Sequence, residues 1–187
     1  MAVDCGYTVI EKGARLVRNN ITGNEKSDEW YTPIEVVQKC YELLEPKYET
    51  VIMCPYDTKL SGFVQIGQMR KFTIIHSITD YLETDYEYDY VITNPPFSIK
   101  DAVIERVLTS GKPAALVLPV DSLGGKKRHQ MFAKYGHPSI YIPSRRINYV
   151  DGTGLNRKQS SFHSIIMLLN IGKSEIIWEQ NVDNSSL

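Results

Sequence analysis

Between residues 51 and 171 the chain alternates short, near-continuous apolar runs with stretches of helical period, and no other feature constrains its fold as much. VIMC (51–54), FTIIHSI (72–78), DYVITN (89–94), AALVLPV (114–120), SIYIP (139–143) and SSFHSIIMLLNI (160–171) read as strands. Runs such as DYVITN and AALVLPV do not alternate apolar with polar residues, so both of their faces must be covered. That condition is met in a mostly parallel sheet flanked by helices, an α/β fold. In such open sheets ligands bind beyond the carboxyl ends of the strands.

The helices carry their own punctuation. TPIEVVQKCYELLEP predicts one helix: Thr32 as its cap, Pro33 at the first position, Glu35 to complete a capping box, and Pro46 as the stop. Val37, Tyr41 and Leu44 fall on one stripe. KDAVIERVLTSG predicts a second helix, capped by Ser98 and Asp101 and ended by Gly111. KKRHQMFAKYG predicts a third, basic one ending at Gly136. Residues 1–27 are polar and weakly periodic and read as an arm or linker, 28–173 as one domain, and 174–187 as a tail that frays.

Composition excludes several classes. No apolar run approaches the roughly 18–20 residues of a membrane span, and the N-terminus shows no basic segment followed by an apolar core. The three cysteines, Cys5, Cys40 and Cys54, are odd in number and lack Cys-x-x-Cys or Cys/His spacing. A disulfide scaffold and a zinc site are therefore not expected, and the expectation is a cytoplasmic, metal-free protein. Net charge is −1, but it is polarised: Lys100 to Lys158 holds eleven Lys/Arg against four acids. A chain so divided can meet a phosphate backbone with one face. The candidates for that contact are Lys126, Lys127, Arg128, Arg145, Arg146, Arg157 and Lys158, the last two beside the glycines of GTGLNRKQSS (152–161), where close approach is possible. GGKKRHQ (124–130) resembles a phosphate-binding turn but lacks the spacing of a nucleotide-triphosphate loop.

The sharpest local signal is Asn94-Pro95-Pro96-Phe97, at the carboxyl end of DYVITN. Two prolines stiffen the backbone there, and Pro95 restricts Asn94 to an extended conformation. Asn offers an acceptor and a donor at one tip, and Phe97 offers a flat face for stacking. An amide oxygen and a backbone carbonyl together can accept both hydrogens of a planar exocyclic NH2. That draws the nitrogen lone pair out of conjugation and aims it at an electrophile.

With these residues in place the sequence resembles a family: the S-adenosylmethionine-dependent methyltransferases acting on amino groups, chiefly the DNA adenine-N6 enzymes and their small phage-encoded members. NPPF resembles their catalytic motif. WYTP (30–33) resembles the segment that precedes the first strand in one motif order, which implies that Tyr31, Thr32 and Pro33 hold the methionine part of the cofactor. Asp80-Tyr81-Leu82 resembles the element before the catalytic strand, and RRINYVDGTG (145–154) with SSFHSIIM (160–167) resembles the closing strands. The resemblance covers about residues 28–171. It implies a single Rossmann-like methyltransferase sandwich, with an antiparallel strand near the C-terminus, that acts on DNA.

The first cofactor loop departs from the family pattern. Cys54-Pro55-Tyr56-Asp57 stands where Asp-Pro-Phe and two glycines are usual, and Gly62 alone remains. Asp57 then takes the acidic role if Ser61-Gly62 forms the close approach. His76 stands near the place of the acid that ends the second strand. The resemblance thus implies a cofactor site of Tyr31, Thr32, Pro33, Cys54, Tyr56, Asp57, His76, Asp80 and Tyr81. Methyl transfer to adenine N6 of DNA is the expected function. A binding protein derived from a methyltransferase, without catalysis, and an enzyme acting on RNA or protein glutamine are the alternatives.

Overall fold

The computed structural model describes residues 30–151 and 157–180. The arm at 1–27, the turn at 152–156 and the end of the tail at 181–187 lie outside the described residues. Seven strands form the main sheet: β2 (Val51–Cys54), β3 (Thr73–His76), β4 (Tyr90–Thr93), β5 (Ala114–Pro119), β6 (Ser139–Ile142), β9 (Ser164–Leu169) and β10 (Ile176–Trp178), in the order β10-β6-β9-β5-β4-β2-β3. Strands β3, β2, β4 and β5 run parallel. Strand β9 lies antiparallel between β5 and β6. A second, small sheet joins β1 (Trp30–Tyr31), β7 (Asn148–Asp151) and β8 (Arg157–Gln159) in the order β1-β7-β8, all antiparallel. This is the three-layer α/β sandwich that the apolar runs require.

Alternate residues of each strand feed opposite layers. Ile52, Cys54, Ile92, Ala115, Val117, Ile166 and Leu168 pack under α1 (Ile34–Leu44) and α2 (Gly62–Met69). Met53, Val91, Leu116, Leu118, Ile165 and Met167 pack under α3 (Lys100–Ser110) and α4 (Lys126–Tyr135). Each large aliphatic side chain so buried contributes about 1.5–3 kcal/mol. The expected stripe of α1 (Val37, Tyr41, Leu44) is buried, as are both pairs of α3, Val103/Val107 and Ile104/Leu108. Gly111 closes α3 in the left-handed conformation, as expected.

Four local expectations need correction. Thr32 does not cap α1: the carbonyl of Pro33 accepts from Val36 and Val37 instead, and the Thr32 hydroxyl turns to Asn94. Ser98 does not cap α3, because a 3₁₀ turn at Phe97–Ile99 leads directly into the helix and backbone carbonyls take the free N–H groups. The segment after β2 is not wholly loop. Ser61 caps α2 by accepting from Phe63 N–H, and Phe63, Val64, Ile66 and Gly67 are buried. Finally, the stretch expected to fray from residue 174 contains β10, which pairs in parallel with β6 from Ile176↔Ile140 to Trp178↔Ile142. Its Ile-Ile-Trp run has the β-branched and aromatic character of a strand.

Two glycines of α2 fit close packing. A Cβ on Gly62 would sit 3.1 Å from Ile34 Cδ1 and 3.2 Å from Val37 Cγ2. One on Gly67 would run into Ile74 Cδ1 and the Tyr41 hydroxyl, which itself donates to the Phe63 carbonyl at 2.8 Å. Gly67→Ala should therefore destabilise the fold by about 1–3 kcal/mol although alanine is the better helix former. Chemical denaturation reads this as a lower midpoint at unchanged slope, and an unchanged or higher midpoint contradicts it.

Candidate active site

The carboxyl ends of β2, β3, β4 and β5 meet at one edge, and β6, parallel to β5, ends there too. Asn94 follows β4 at this edge and is 8 % exposed. Its Nδ2 donates to Thr32 Oγ1 at 3.1 Å, bridging 62 residues of chain, and the Tyr149 side chain lies close to the amide, its own hydroxyl 3.3 Å from Ser164 Oγ. Its Oδ1 is buried without a hydrogen-bond partner. Leaving such an acceptor unmade costs about 1–3 kcal/mol, so it marks a place built for a donor. Pro95 and Pro96 are buried beneath it, and Phe97 is half-buried with its ring edge-on to Phe162 at 5.2 Å.

Asp57 is the electrostatic centre of the edge. Its Oδ2 accepts from Thr93 Oγ1 and its Oδ1 from Ser61 Oγ, each at 2.7 Å. One carboxyl thus ties the end of β4 to the start of α2. The residue is part-exposed, but its carboxyl is turned inward. Burial pushes it up to about 7, against the pull of the Thr93 and Ser61 hydroxyls. Among the described residues it has no cationic partner. The backbone around it is fixed as well, since Asp57 O accepts from Ser77 N–H at 2.9 Å and Pro55 O from Ile78 N–H. Ser77 reaches that position at φ 59°, a left-handed conformation costing of order 1 kcal/mol in a non-glycine residue.

The structure brings some expected cofactor residues to this edge and keeps others in the core. Tyr31 and Pro33 flank Thr32 beside Asn94, Tyr31 through the register Tyr31↔Val150. His76 ends β3 directly opposite Cys54. Its Nδ1 lies 2.9 Å from Ser77 Oγ, and burial lowers its pKa, favouring the neutral ring. Cys54 is fully buried and burial raises its thiol pKa strongly, so it presents no charge. Tyr81 is fully buried, edge-on to Tyr56, with its hydroxyl 3.3 Å from that of Tyr88. The Tyr56 hydroxyl is buried without a partner, and burial pushes it up to about 12. Asp80 spends its carboxylate on its own loop, accepting from Tyr86 and Thr84 at 2.7 Å each, bonds that lower its pKa. Gly62 packs against α1, with Ile34 and Val37 at the place a Cβ would take.

The basic candidates divide in the same way. Arg145 and Arg146 are exposed on the turn after β6, which Glu179 pins by accepting from Ser144 N–H and Oγ at 2.7 and 2.6 Å. Lys126 is exposed at the start of α4, and Lys127 pairs with Glu105 at 3.0 Å. Arg128 is turned inward onto Asp101 and the carbonyls of Gly124 and Asp121. Gly125, at φ 102°, leaves room for its guanidinium, so the glycine pair of GGKKRHQ serves an arginine of this chain. The side chains of Arg157 and Lys158 lie outside the described residues; their backbone forms β8.

Reasoning from sequence passed over Thr93, Tyr149, Phe162 and Ser164. Tyr149, Phe162 and Ser164 lie in the two segments that resemble the closing strands, which was the only signal pointing to them. Among the described residues no group of three His, Cys, Asp or Glu could hold a metal ion, and no helix is long and apolar enough to cross a membrane. A cavity of about 210 Å³ between Thr73, Tyr88, Asp89 and Lys112 lies at the opposite edge of the sheet, by the amino ends of β2 and β3.

No family model and no curated protein sequence matches this chain. Solved structures do. The M protein of the type I restriction enzyme EcoKI superposes with a TM-score of 0.50 at 13 % identity, over 74 % of this chain and 43 % of its own. A protein from Vibrio vulnificus YJ016, assigned as a modification subunit of a type I restriction enzyme, gives 0.50 at 14 % identity, over 89 % and 50 %. This chain thus spans half or less of the length of these structures. It has their fold, a methyltransferase fold, which is the class the sequence implied.

Asp57 holds its proton more tightly folded than unfolded, where the ordinary value is 3.8. The folded state therefore loses stability as pH rises from about 4 to 7, and no more above that. Asp57→Asn should remove this slope, so that the variant gains on the wild type between pH 5 and pH 8 in paired denaturant titrations. Curves that stay parallel across that range contradict the assignment.

Proposed function

We propose that this chain transfers a methyl group from S-adenosylmethionine to an exocyclic amino group, adenine N6 in DNA. The observation that carries the reading is the Asn94 amide: a buried acceptor with no partner, at the carboxyl end of a central strand, three residues before the half-buried ring of Phe97. The fold shared with modification subunits of type I restriction enzymes supports it. A nucleic acid is favoured over a protein by the exposed Arg145-Arg146 doublet, whose turn follows β6 at the same edge as Asn94.

The cofactor brings a methyl group on a sulfonium, which is a strong leaving group and a cation. The donor set fits it. Asp57 is a buried carboxyl without a cationic partner among the described residues, and its charged form gains from a cation nearby. Tyr31, Thr32, Pro33, Tyr56, Asp57, His76 and Asp80 would hold it, with Cys54 and Tyr81 shaping the floor from within the core. Asn94 Oδ1 accepts one hydrogen of the substrate amino group and a neighbouring carbonyl the other, aiming the nitrogen lone pair. The base must leave the duplex to reach this edge, where Phe97 gives it a face. No general base is needed, because the proton can leave after transfer. Holding two reactants in place in this way is worth about 7–11 kcal/mol.

Asn94→Ala should abolish transfer of radiolabelled methyl groups to DNA while leaving cofactor affinity within a few-fold. S-adenosylhomocysteine at 100 times its dissociation constant should stabilise wild type and variant alike by about 2.7 kcal/mol. Transfer that survives in Asn94→Ala refutes the catalytic assignment. A wild type that shows no thermal shift with millimolar ligand refutes the cofactor and favours the binding protein without catalysis.

Charge gives a separate expectation. Replacing Arg145 and Arg146 with Gln should weaken duplex binding for every sequence. The slope of log affinity against log salt should fall by about 0.9 for each phosphate that the variant no longer neutralises. Binding that does not depend on salt contradicts a phosphate-facing doublet.

A further inference from the structure

We propose that the turn at 143–147 is a prebuilt contact for the phosphates of a nucleic acid, and that Glu179, just after β10, is the positioning residue that presents its two arginines. This rests on the reading of the substrate as a nucleic acid, and adds what holds the contact ready. A basic turn left loose in water must be ordered at the moment of binding, and ordering long side chains and their backbone weakens the complex. A turn already fastened by the fold has lost much of that freedom beforehand.

The segment is tied down on both sides of Arg145 and Arg146. Before them, Pro143 is buried and its carbonyl accepts from His163 Nε2 at 3.0 Å. Ser144 gives its N–H, at 2.7 Å, and its hydroxyl, at 2.6 Å, to the same oxygen, Oε2 of Glu179. After them, Ile147 is buried and its carbonyl accepts from Ser160 N–H at 3.3 Å. Glu179 is itself fixed. Its N–H donates to the Ile142 carbonyl at 3.0 Å, extending the pairing of β6 with β10 by one residue, and its Oε1 accepts from the Tyr141 hydroxyl at 3.0 Å. The Ser144 donors hold the Glu179 carboxyl below the usual carboxylate range, so it is charged at neutral pH.

That charge is directed at the turn and not at the arginines. Both oxygens of Glu179 are taken by Ser144 and Tyr141, and among the described residues neither arginine has an ion-pair or hydrogen-bond partner. Two guanidinium groups thus stay available for the forked contact that a phosphate accepts. A carboxylate beside a phosphate contact is otherwise a liability, since it repels the polyanion. What it contributes here is geometry.

The two effects of Glu179 have opposite signs, and binding of a labelled DNA duplex separates them. Removing a negative charge beside the contact should by itself tighten binding, whereas removing a positioning residue should weaken it. Glu179→Ala should weaken binding about tenfold, the equivalent of one net hydrogen bond. It should also lower the slope of log affinity against log salt toward that of the Arg145→Gln/Arg146→Gln variant. Added to that double variant, Glu179→Ala should bring no further weakening, because the three residues serve one contact. In case Glu179→Ala does not fold, Ser144→Ala removes a single donor and should weaken binding about threefold, the lower end of the same scale. A folded Glu179→Ala, or Ser144→Ala in its place, that binds as well as the wild type or better overturns the proposal. So does an equal weakening in the double variant. A wild type that binds no duplex at low salt overturns it as well, and leaves methyl transfer to another substrate standing. The expected weakening in a protein that transfers no methyl group upholds the turn and refutes the proposed function, so the two fail separately.

Discussion

The carboxyl of Asp57 is the constraint on which the rest of the site depends. It is placed by the turn after β2, and it holds Ser61 at the start of α2 and Thr93 at the end of β4. Thr93 immediately precedes Asn94, so the same carboxyl fixes where the NPPF segment leaves the sheet. Its burial costs the charged form dearly, and two hydroxyl donors offset only part of that. The site is thus assembled around an acid that is half-protonated near neutral pH and would gain from a cation.

Much of the fold was legible because it depends on residue patterns that do not need context. All six expected strands form within the ranges read, and α1, α3 and α4 occupy their segments, since continuous apolar runs and four-residue spacing report burial directly. What was missed depends on partners distant in sequence. Helix α2 carries two glycines that look like loop residues until Ile34, Val37, Ile74 and Tyr41 are seen pressed against them. Thr32 reads as a cap until Asn94, 62 positions on, claims its hydroxyl. Strand β10 had too few residues to stand out, and forms because β6 offers it an edge.

The site was legible in its centre and not in its surroundings. Asn94 and its prolines announce themselves because a stiff turn after an apolar strand is rare without a reason. Tyr149 and Ser164 could not, since a tyrosine and a serine inside apolar runs look like ordinary packing. The reverse error was Arg128, one basic residue in a basic run, which the structure turns onto Asp101 and two carbonyls. Charge counted along a chain cannot distinguish a solvated side chain from one that holds its own backbone.

The placement of β9 has a consequence for how the chain is built. Strand β6 has two neighbours in the sheet, β9 and β10, and both follow it in sequence. As the chain emerges, β2 to β5 can assemble into a parallel half-sheet from contacts already made. Strand β6 has nothing to join until residues 164–169 arrive and slide between it and β5. The middle of the sheet is therefore filled late, before β10 alone, by pairings of long sequence separation, which are the slow kind. Until then the edge of β5 stands open, and it is among the most apolar strands of the molecule.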